Sequence, residues 1–414
     1  MIAVAMILGL LATPAPGAAP AKNGGKGDST LNRSADQVGA EVDRSLEWLQ
    51  RRRTFTMNGV PYGLTGLPIL FYTPSSGLRY GAWVQITDYR MRPYLYRVKV
   101  QWLLTTNGKR NHYVSVDLLP VPTEVRFITQ DLDDIDAHFF GIGNNTKVNK
   151  DSVAAEPDYY RYVLEQQKTA FDLEQSLAGP LAAFVGVRFA RTKPSRVNPT
   201  KDTYFVFRQP DLPGVTTGWT NTVALGIILD TRDDRDVPTR GALSDFSVRK
   251  AFRWLGSNNQ ELRLTLIHTR YIPLRRRYTI VARAIIESMT GNTPFYEMSE
   301  IGGSLRTFDV MGAANLRGYV SRRFAAQDKL LLTAEVRRSF AVRRWHRQYI
   351  MPQAIAFADL GRFASSFAQM GIDQIHSSAG LGLRFTWNEQ LSLRSDIAVS
   401  PEGHRFLFRV GSQF

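Results

Sequence analysis

The sequence predicts an all-β fold, a sixteen-stranded antiparallel transmembrane β-barrel preceded by one short helix. Three observations lead there. From Leu64 onward apolar residues recur with a period of two: Tyr96, Val98, Val100, Trp102 and Leu104 alternate with Arg97, Lys99 and Gln101, and the pattern returns at Val223, Leu225, Ile227, Leu229 and at Leu381, Leu383, Phe385, Trp387. Successive side chains of a strand take opposite faces, so each of these strands has one apolar and one polar face. The alternating segments mostly run to ten residues or more, against about five to six in soluble sheets. Trp219, Trp254, Trp345 and Trp387 fall at strand ends, where the aromatic girdles of a membrane barrel lie. Alternation alone leaves open whether the apolar face looks inward, as in a soluble sandwich, or outward to lipid. The length and charge of the strands favour lipid.

Residues 1–21 read as a signal peptide. The apolar run from Ile2 to Ala12 is short, and Ala19-Pro20-Ala21 offers small residues for cleavage, although no Lys or Arg precedes the run. A transmembrane helix needs about 20 apolar residues, and no segment supplies them. Residues 22–64 read as a linker. Within it, Val38, Val42, Leu46 and Leu49 predict a helix over 34–53 that ends on Arg51-Arg52-Arg53, cations suited to a helix C-terminus. Such a helix plugs or docks, or simply links. The barrel is assigned to 65–414, with strands at 66–73, 78–90, 94–106, 110–120, 123–131, 157–173, 180–193, 219–232, 240–253, 259–272, 276–289, 329–341, 347–360, 376–387, 390–400 and 403–414. The long connections, 132–156, 194–218, 290–328 and 361–375, all follow odd-numbered strands. An even-stranded barrel with long loops at one end and short turns at the other requires that asymmetry.

The chain of 414 residues carries 52 Lys and Arg against 37 Asp and Glu, a net charge of +15. The basic residues are spread along strands, which predicts a basic lumen and argues against nucleic acid. With no cysteine, thiolate and disulfide chemistry are excluded. His112, His138, His268, His346, His376 and His404 show no metal-ligand spacing, and Gly302-Gly303-Ser304 is no nucleophile elbow. No metal, cofactor or enzymatic activity is predicted. Asp133, Asp134 and Asp136 beside His138 read as a solvated loop.

The longest loop contains Gly302-Gly303 and then Leu316-Arg317-Gly318-Tyr319, and five strands follow it. Asp230-Thr231-Arg232-Asp233 precedes Pro238-Thr239-Arg240-Gly241. Phe140-Gly141-Ile142-Gly143-Asn144, Phe357-Ala358-Asp359-Leu360-Gly361 and a terminal Phe408-Arg409-Val410-Gly411-Ser412-Gln413-Phe414 complete the set. Together these resemble the BamA/TamA superfamily of outer-membrane assembly barrels, the bacterial surface antigen family. The resemblance is strong over 219–414 and weaker over 66–218.

The resemblance implies a bacterial outer-membrane barrel with its N-terminal segment in the periplasm and the 290–328 loop folded into the lumen as a lid. It implies that Arg317, at the lid tip, pairs with Glu335 and Asp359 on the inner wall. Parity supports Glu335, which lies between Thr333 and Arg337 and opposite Leu332, Ala334 and Val336. Gly318 lets the tip turn tightly. The family's insertases carry periplasmic POTRA modules of some 75–80 residues, and the 43 residues before the first strand would not hold one. The expected role is assistance in inserting or translocating protein or lipid through a weak seam between first and last strands, marked by Pro68, Phe408, Gly411 and Phe414. Partners would be outer-membrane lipid, lipopolysaccharide, unfolded outer-membrane proteins or a periplasmic protein. The alternatives are a passive channel and a structural barrel that anchors a periplasmic partner.

Overall fold

A computed structural model describes residues 54–410 except 74–76, 92, 120–121, 199, 201–203, 210, 276, 308–315, 346–347, 372–373 and 388–390. The expected signal peptide, the 34–53 helix, Gly411 and Phe414 lie outside the described residues.

Sixteen long strands follow in chain order. They are β1 (Val60–Thr73), β2 (Gly77–Asp88), β3 (Tyr96–Thr105), β4 (Arg110–Leu118), β5 (Thr123–His138), β6 (Arg161–Ala178), β7 (Leu181–Ser195) and β8 (Thr222–Asp230). Then come β9 (Gly241–Ala251), β10 (Glu261–Arg275), β11 (Tyr278–Gly291), β12 (Asp328–Ser339), β13 (Gln348–Ala364), β14 (His376–Trp387), β15 (Leu391–Ser400) and β16 (Gly403–Val410). Each pairs antiparallel with the next in one sheet. Short strands at Thr54–Met57, Gly218–Trp219 and Arg343–Trp345 extend β1, β7 and β13. A short helix α1 (Lys150–Ala155) is capped by Asn149, whose side chain accepts from the backbone N–H groups of Asp151 and Ser152.

The direction of the apolar face is settled by exposure. Leu225 and Ile227 on β8, and Leu381 and Leu383 on β14, are half exposed or more, at 61, 50, 69 and 52%. Asp245, Arg263, Glu287, Glu335 and Arg337 are buried on the opposite faces of β9 to β12. A soluble protein puts these classes the other way round. An outward apolar belt around a charged interior is the arrangement of a membrane barrel.

Several strand limits differ from the expectation. β5 continues to His138 through Asp133, Asp134 and Asp136, which read as loop. Strand propensity disfavours Asp, but Lys109 pairs with Asp134 and Asp136, Arg110 with Asp131 and Asp133, and Arg161 with Asp136. Cross-strand cations therefore hold the acidic segment extended, and the loop that follows is 139–160. β1 begins at Val60 rather than 66. It is preceded by a hairpin whose turn, Asn58-Gly59, has both residues at positive φ (51° and 79°), the Asn-Gly signature of a two-residue hairpin. The sheet thus starts at Thr54, within the span assigned to the linker. Pro68 sits well inside β1, opposite Ala82 of β2. It is tolerated there because its other side carries no described ladder, as befits an edge.

That edge is the seam. Among the described residues no ladder joins β1 to β16. Instead Ile69 of β1 and Trp83 of β2 form a buried cluster with Leu391 of β15, joined by Trp387 and Leu393. Ile69 and Trp83 alternate with exposed residues and face inward. Leu391 and Leu393 share the face of exposed Ile397 and Val399. The inner face of the first strands therefore packs over the outer face of the last ones, and the sheet overlaps itself instead of zipping shut.

Candidate functional site

The connection between β11 and β12 enters the lumen and grips the wall at two separate places. Its first half, 292–307, is anchored on β5 to β11. Glu297 accepts from Arg188 and Arg263, both at 3.0 Å. Glu300 is 2.6 Å from Lys168 and 3.0 Å from Arg322. The backbone is held as well: Gly302 N–H donates to Glu287 (2.6 Å), Ser304 N–H to Asp245 (2.8 Å) and Leu305 N–H to Asp172 (2.6 Å). A Cβ on Gly302 would lie 2.4 Å from Thr265 Oγ1, so only glycine lets the chain approach this wall so closely.

The second half carries the tip. Arg317 Nη1 donates to Glu335 Oε1 at 2.7 Å, while Nε and Nη2 donate to Asp359 at 2.7 and 2.6 Å. Its guanidinium lies 3.5 Å from the centre of the Phe357 ring. Two parallel bonds to one carboxylate, with a ring beneath, use the planar fork that Lys lacks. Leu316 rests on Gly361, where a Cβ would come within 2.7 Å of it. Gly318 has φ +98°, and a Cβ there would meet Ser378 and Ser400 at 3.2 Å. Its carbonyl accepts from the Ser400 hydroxyl at 2.8 Å. Tyr319 packs against Phe324 and His376, and its hydroxyl donates to the Ser377 carbonyl at 3.2 Å. Phe357, Asp359 and Gly361, spaced by two along β13, thus supply the ring, the carboxylate and the space that the tip occupies.

The segment Phe140-Gly141-Ile142-Gly143-Asn144 clamps the lid from the side. Ile142 bridges Ala325, and Gly143 N–H donates to the Ala325 carbonyl at 2.8 Å. Asn144 reaches the Phe363 N–H and the Gln374 carbonyl of the opposite wall. Arg323 binds Thr146 and pairs with Glu402 in the β15–β16 turn at 2.7 Å. A cavity of about 930 Å³ remains in the lumen beside the lid, bordered by Gly302, Gly303, Leu316 and Arg322. Among the described residues no group of His, Asp and Glu could hold a metal ion. The ring of His138 bonds the Asp136 carbonyl and stacks on Phe140.

The profile of the Omp85 superfamily domain matches residues 133–414. The chain belongs to the Omp85 superfamily. No curated protein sequence matches it. Among solved structures, this Omp85 barrel is similar to BamA from Haemophilus ducreyi lacking POTRA domains 1-3, with 12% identity over 90% of this chain and 78% of the other, at a TM-score of 0.50. It is also similar to CdiB from Escherichia coli, with 12% identity over 91% of this chain and 70% of that one, at a TM-score of 0.54. At such identities the likeness concerns the fold.

Within this Omp85 barrel the lid residues Leu316, Arg317, Gly318 and Tyr319 meet Glu335 and Asp359 in one buried cluster. Pro68 and Phe408 lie on β1 and β16, the two strands flanking the seam. Sequence reasoning missed Phe357 and Gly361 as contacts, and Arg337 and Arg394, which share Glu335 with Arg317 at 2.8 Å each. Arg394 and Asp396 read as structural lumen charges. Their spacing of two on one strand face was the available signal, since it places both on the same wall as Glu335.

Proposed function

We propose that this Omp85 barrel, set in the bacterial outer membrane with its N-terminal segment periplasmic, assists insertion or translocation of protein or lipid by opening laterally between β1 and β16, with the lid as gate. The single observation that carries the reading is the contrast between a seam that carries no ladder among the described residues and a lid locked across the lumen. A plugged lumen disfavours passage along the axis. A sheet that overlaps itself with no ladder among the described residues offers a lateral route, because few backbone bonds need breaking. The lid is coupled to one side of that route. Gly318 bonds Ser400, and Arg323 pairs with Glu402, so it holds the β15–β16 hairpin. On this reading unfolded outer-membrane proteins, or outer-membrane lipid including lipopolysaccharide, are the cargo, and no covalent chemistry is involved.

The test is a seam cross-link. The chain has no cysteine, so Ile69→Cys and Leu391→Cys, at positions that share the buried cluster, supply the only thiols for a short bifunctional cross-linker with a reducible bridge. Insertion of an unfolded outer-membrane protein into vesicles bearing this barrel should stop on bridging and return on reduction. Undiminished insertion through a fully bridged barrel would rule out lateral opening.

A further inference from the structure

The outer wall changes character at the end that carries the short turns. Along β12 the outward face runs from Val336, 45% exposed in the lipid belt, through Arg338 to Phe340. On β11 the matching step is from Ile280 to Tyr278, and Tyr278 stands directly opposite both Arg338 and Arg275. Directly opposite residues of neighbouring strands share a face, so Arg275, Tyr278 and Arg338 form one outward row across β10, β11 and β12. Arg277 in the β10–β11 turn and Arg343 in the β12–β13 connection flank it, and all four arginines are exposed. The Ser339 N–H donates to the Arg277 carbonyl at 2.8 Å, which ties the end of β12 to that turn. The Arg338 guanidinium lies 5.7 Å from the centre of the Tyr278 ring and 5.1 Å from that of Phe340. Among the described residues none of the four meets a carboxylate at ion-pair distance, unlike the lumen arginines gathered on Glu335.

We infer that this row binds the headgroup of an anionic phospholipid of the phosphatidylglycerol kind, in the leaflet that meets the short-turn end. An arginine on a lipid-facing wall is costly at mid-bilayer and far less so at the interface, where its stem lies along apolar surface and its head reaches the headgroups. Aromatic rings mark that same height, and Tyr278 and Phe340 set the row there. The planar guanidinium matches two phosphate oxygens at once, and its attraction to the two rings holds the Arg338 fork in place. A phosphodiester with no ammonium of its own suits several neighbouring cations better than a zwitterionic headgroup, whose ammonium they repel. The outward direction of the row favours lipid over an acidic protein, because the phosphates of the leaflet already lie against it. The inference requires only that the apolar face meets lipid, so it stands or falls apart from lateral opening. Under the orientation proposed above, that leaflet is the periplasmic one.

The experiment is native mass spectrometry of the full chain from maltoside micelles that contain phosphatidylglycerol and phosphatidylcholine, with identical acyl chains and in equal amounts. The quantity read is the ratio of protein retaining phosphatidylglycerol to protein retaining phosphatidylcholine. Wild type should favour phosphatidylglycerol about tenfold or more. A basic residue at a membrane surface strengthens binding of anionic lipid about fivefold, so Arg338→Gln and Arg275→Gln should each lower the ratio by about that factor. Both lipids compete for the same molecules, so a change in basal stability cancels. Arg253→Gln removes an exposed cation in the connection after β9, at the other end of the barrel, and should leave the ratio unchanged. Equal retention of the two lipids by the wild type, a ratio untouched by Arg338→Gln and Arg275→Gln, or a fall as large in Arg253→Gln overturns the inference. Capture of an added poly-glutamate peptide in place of lipid would also overturn it, and would assign the row to an acidic protein.

Discussion

The lid tip and the seam share one wall of the barrel, yet opposite forces hold them. The tip is fixed by buried charge: three arginines converge on Glu335, and the Arg317 fork closes on Asp359. The seam is held by apolar side chains, Ile69 and Trp83 against Leu391. The difference matters because of the solvent. Lipid tails are as apolar as leucine, so packing an outer-face leucine against another strand gains little over leaving it in lipid. A buried guanidinium has no such substitute and loses heavily if its carboxylate leaves. The barrel therefore places its weak contact where separation is cheap and its strong one where displacement is expensive.

Removing the shared carboxylate is the severest way to break that contrast. Glu335→Ala leaves Arg317, Arg337 and Arg394 buried with fewer acceptors, and should cost about 3–5 kcal/mol, read as a lower unfolding midpoint in micelles. In a planar bilayer the wild type should pass little current with rare openings. Glu335→Ala and Arg317→Ala should leak more, because the tip no longer seats. Wild-type stability and leak in both variants would mean that the ion pairs do not hold the lid. A large steady current from the wild type itself would revive the passive channel.

Next in size is the tip glycine. Gly318→Ala forces an L side chain to φ +98° and brings a Cβ to 3.2 Å from Ser378 and Ser400. The backbone conformation alone costs about 1–3 kcal/mol. The expected result is a destabilised lid with the Arg317 pair intact, visible as leak without the full stability loss of Glu335→Ala.

How far these regions were legible in the sequence differs for the same physical reason. Sixteen strands and the odd-strand rule for long loops followed from alternation, which lipid on one face and a packed lumen on the other impose over the whole chain. Arg317, Glu335 and Asp359 could be named because a motif and strand parity fix which face each occupies. The acidic end of β5 was illegible, since its extension depends on Lys109, Arg110 and Arg161 lying across the ladder. The overlap at the seam was illegible too. Nothing in the alternation of Leu391 and Leu393 says that the outer face of one strand will meet the inner face of another at the far end of the chain. Phe357 and Gly361 read as members of a pattern, and their meaning came only from the side chains above them.

Leu391→Ala tests the cheap side of the comparison. A buried leucine in a water-soluble core costs about 2–5 kcal/mol to truncate. Here lipid can fill part of the space, so the loss should stay near about 1 kcal/mol, with more frequent cross-linking-sensitive openings in the bilayer. A loss as large as that of Glu335→Ala would mean the seam is a true core contact, and the contrast would fail.

The smallest effect isolates burial from pairing. In the connection 231–240 after β8, Asp236 accepts two bonds from Arg97, at 3.2 and 3.1 Å, but stays 28% exposed. Burial alone would raise the Asp236 pKa, yet the Arg97 guanidinium outweighs it and holds the carboxyl below its ordinary value. A carboxyl depressed in the folded state contributes stability above its unfolded pKa of about 3.9, lost as pH falls through the lower folded value. Wild type and Asp236→Asn should therefore differ by about 1 kcal/mol or less at neutral pH and converge in acid below that range. If Asp236→Asn proved as damaging as Glu335→Ala, the number of ion pairs, and not their depth in the lumen, would govern the strength of this barrel.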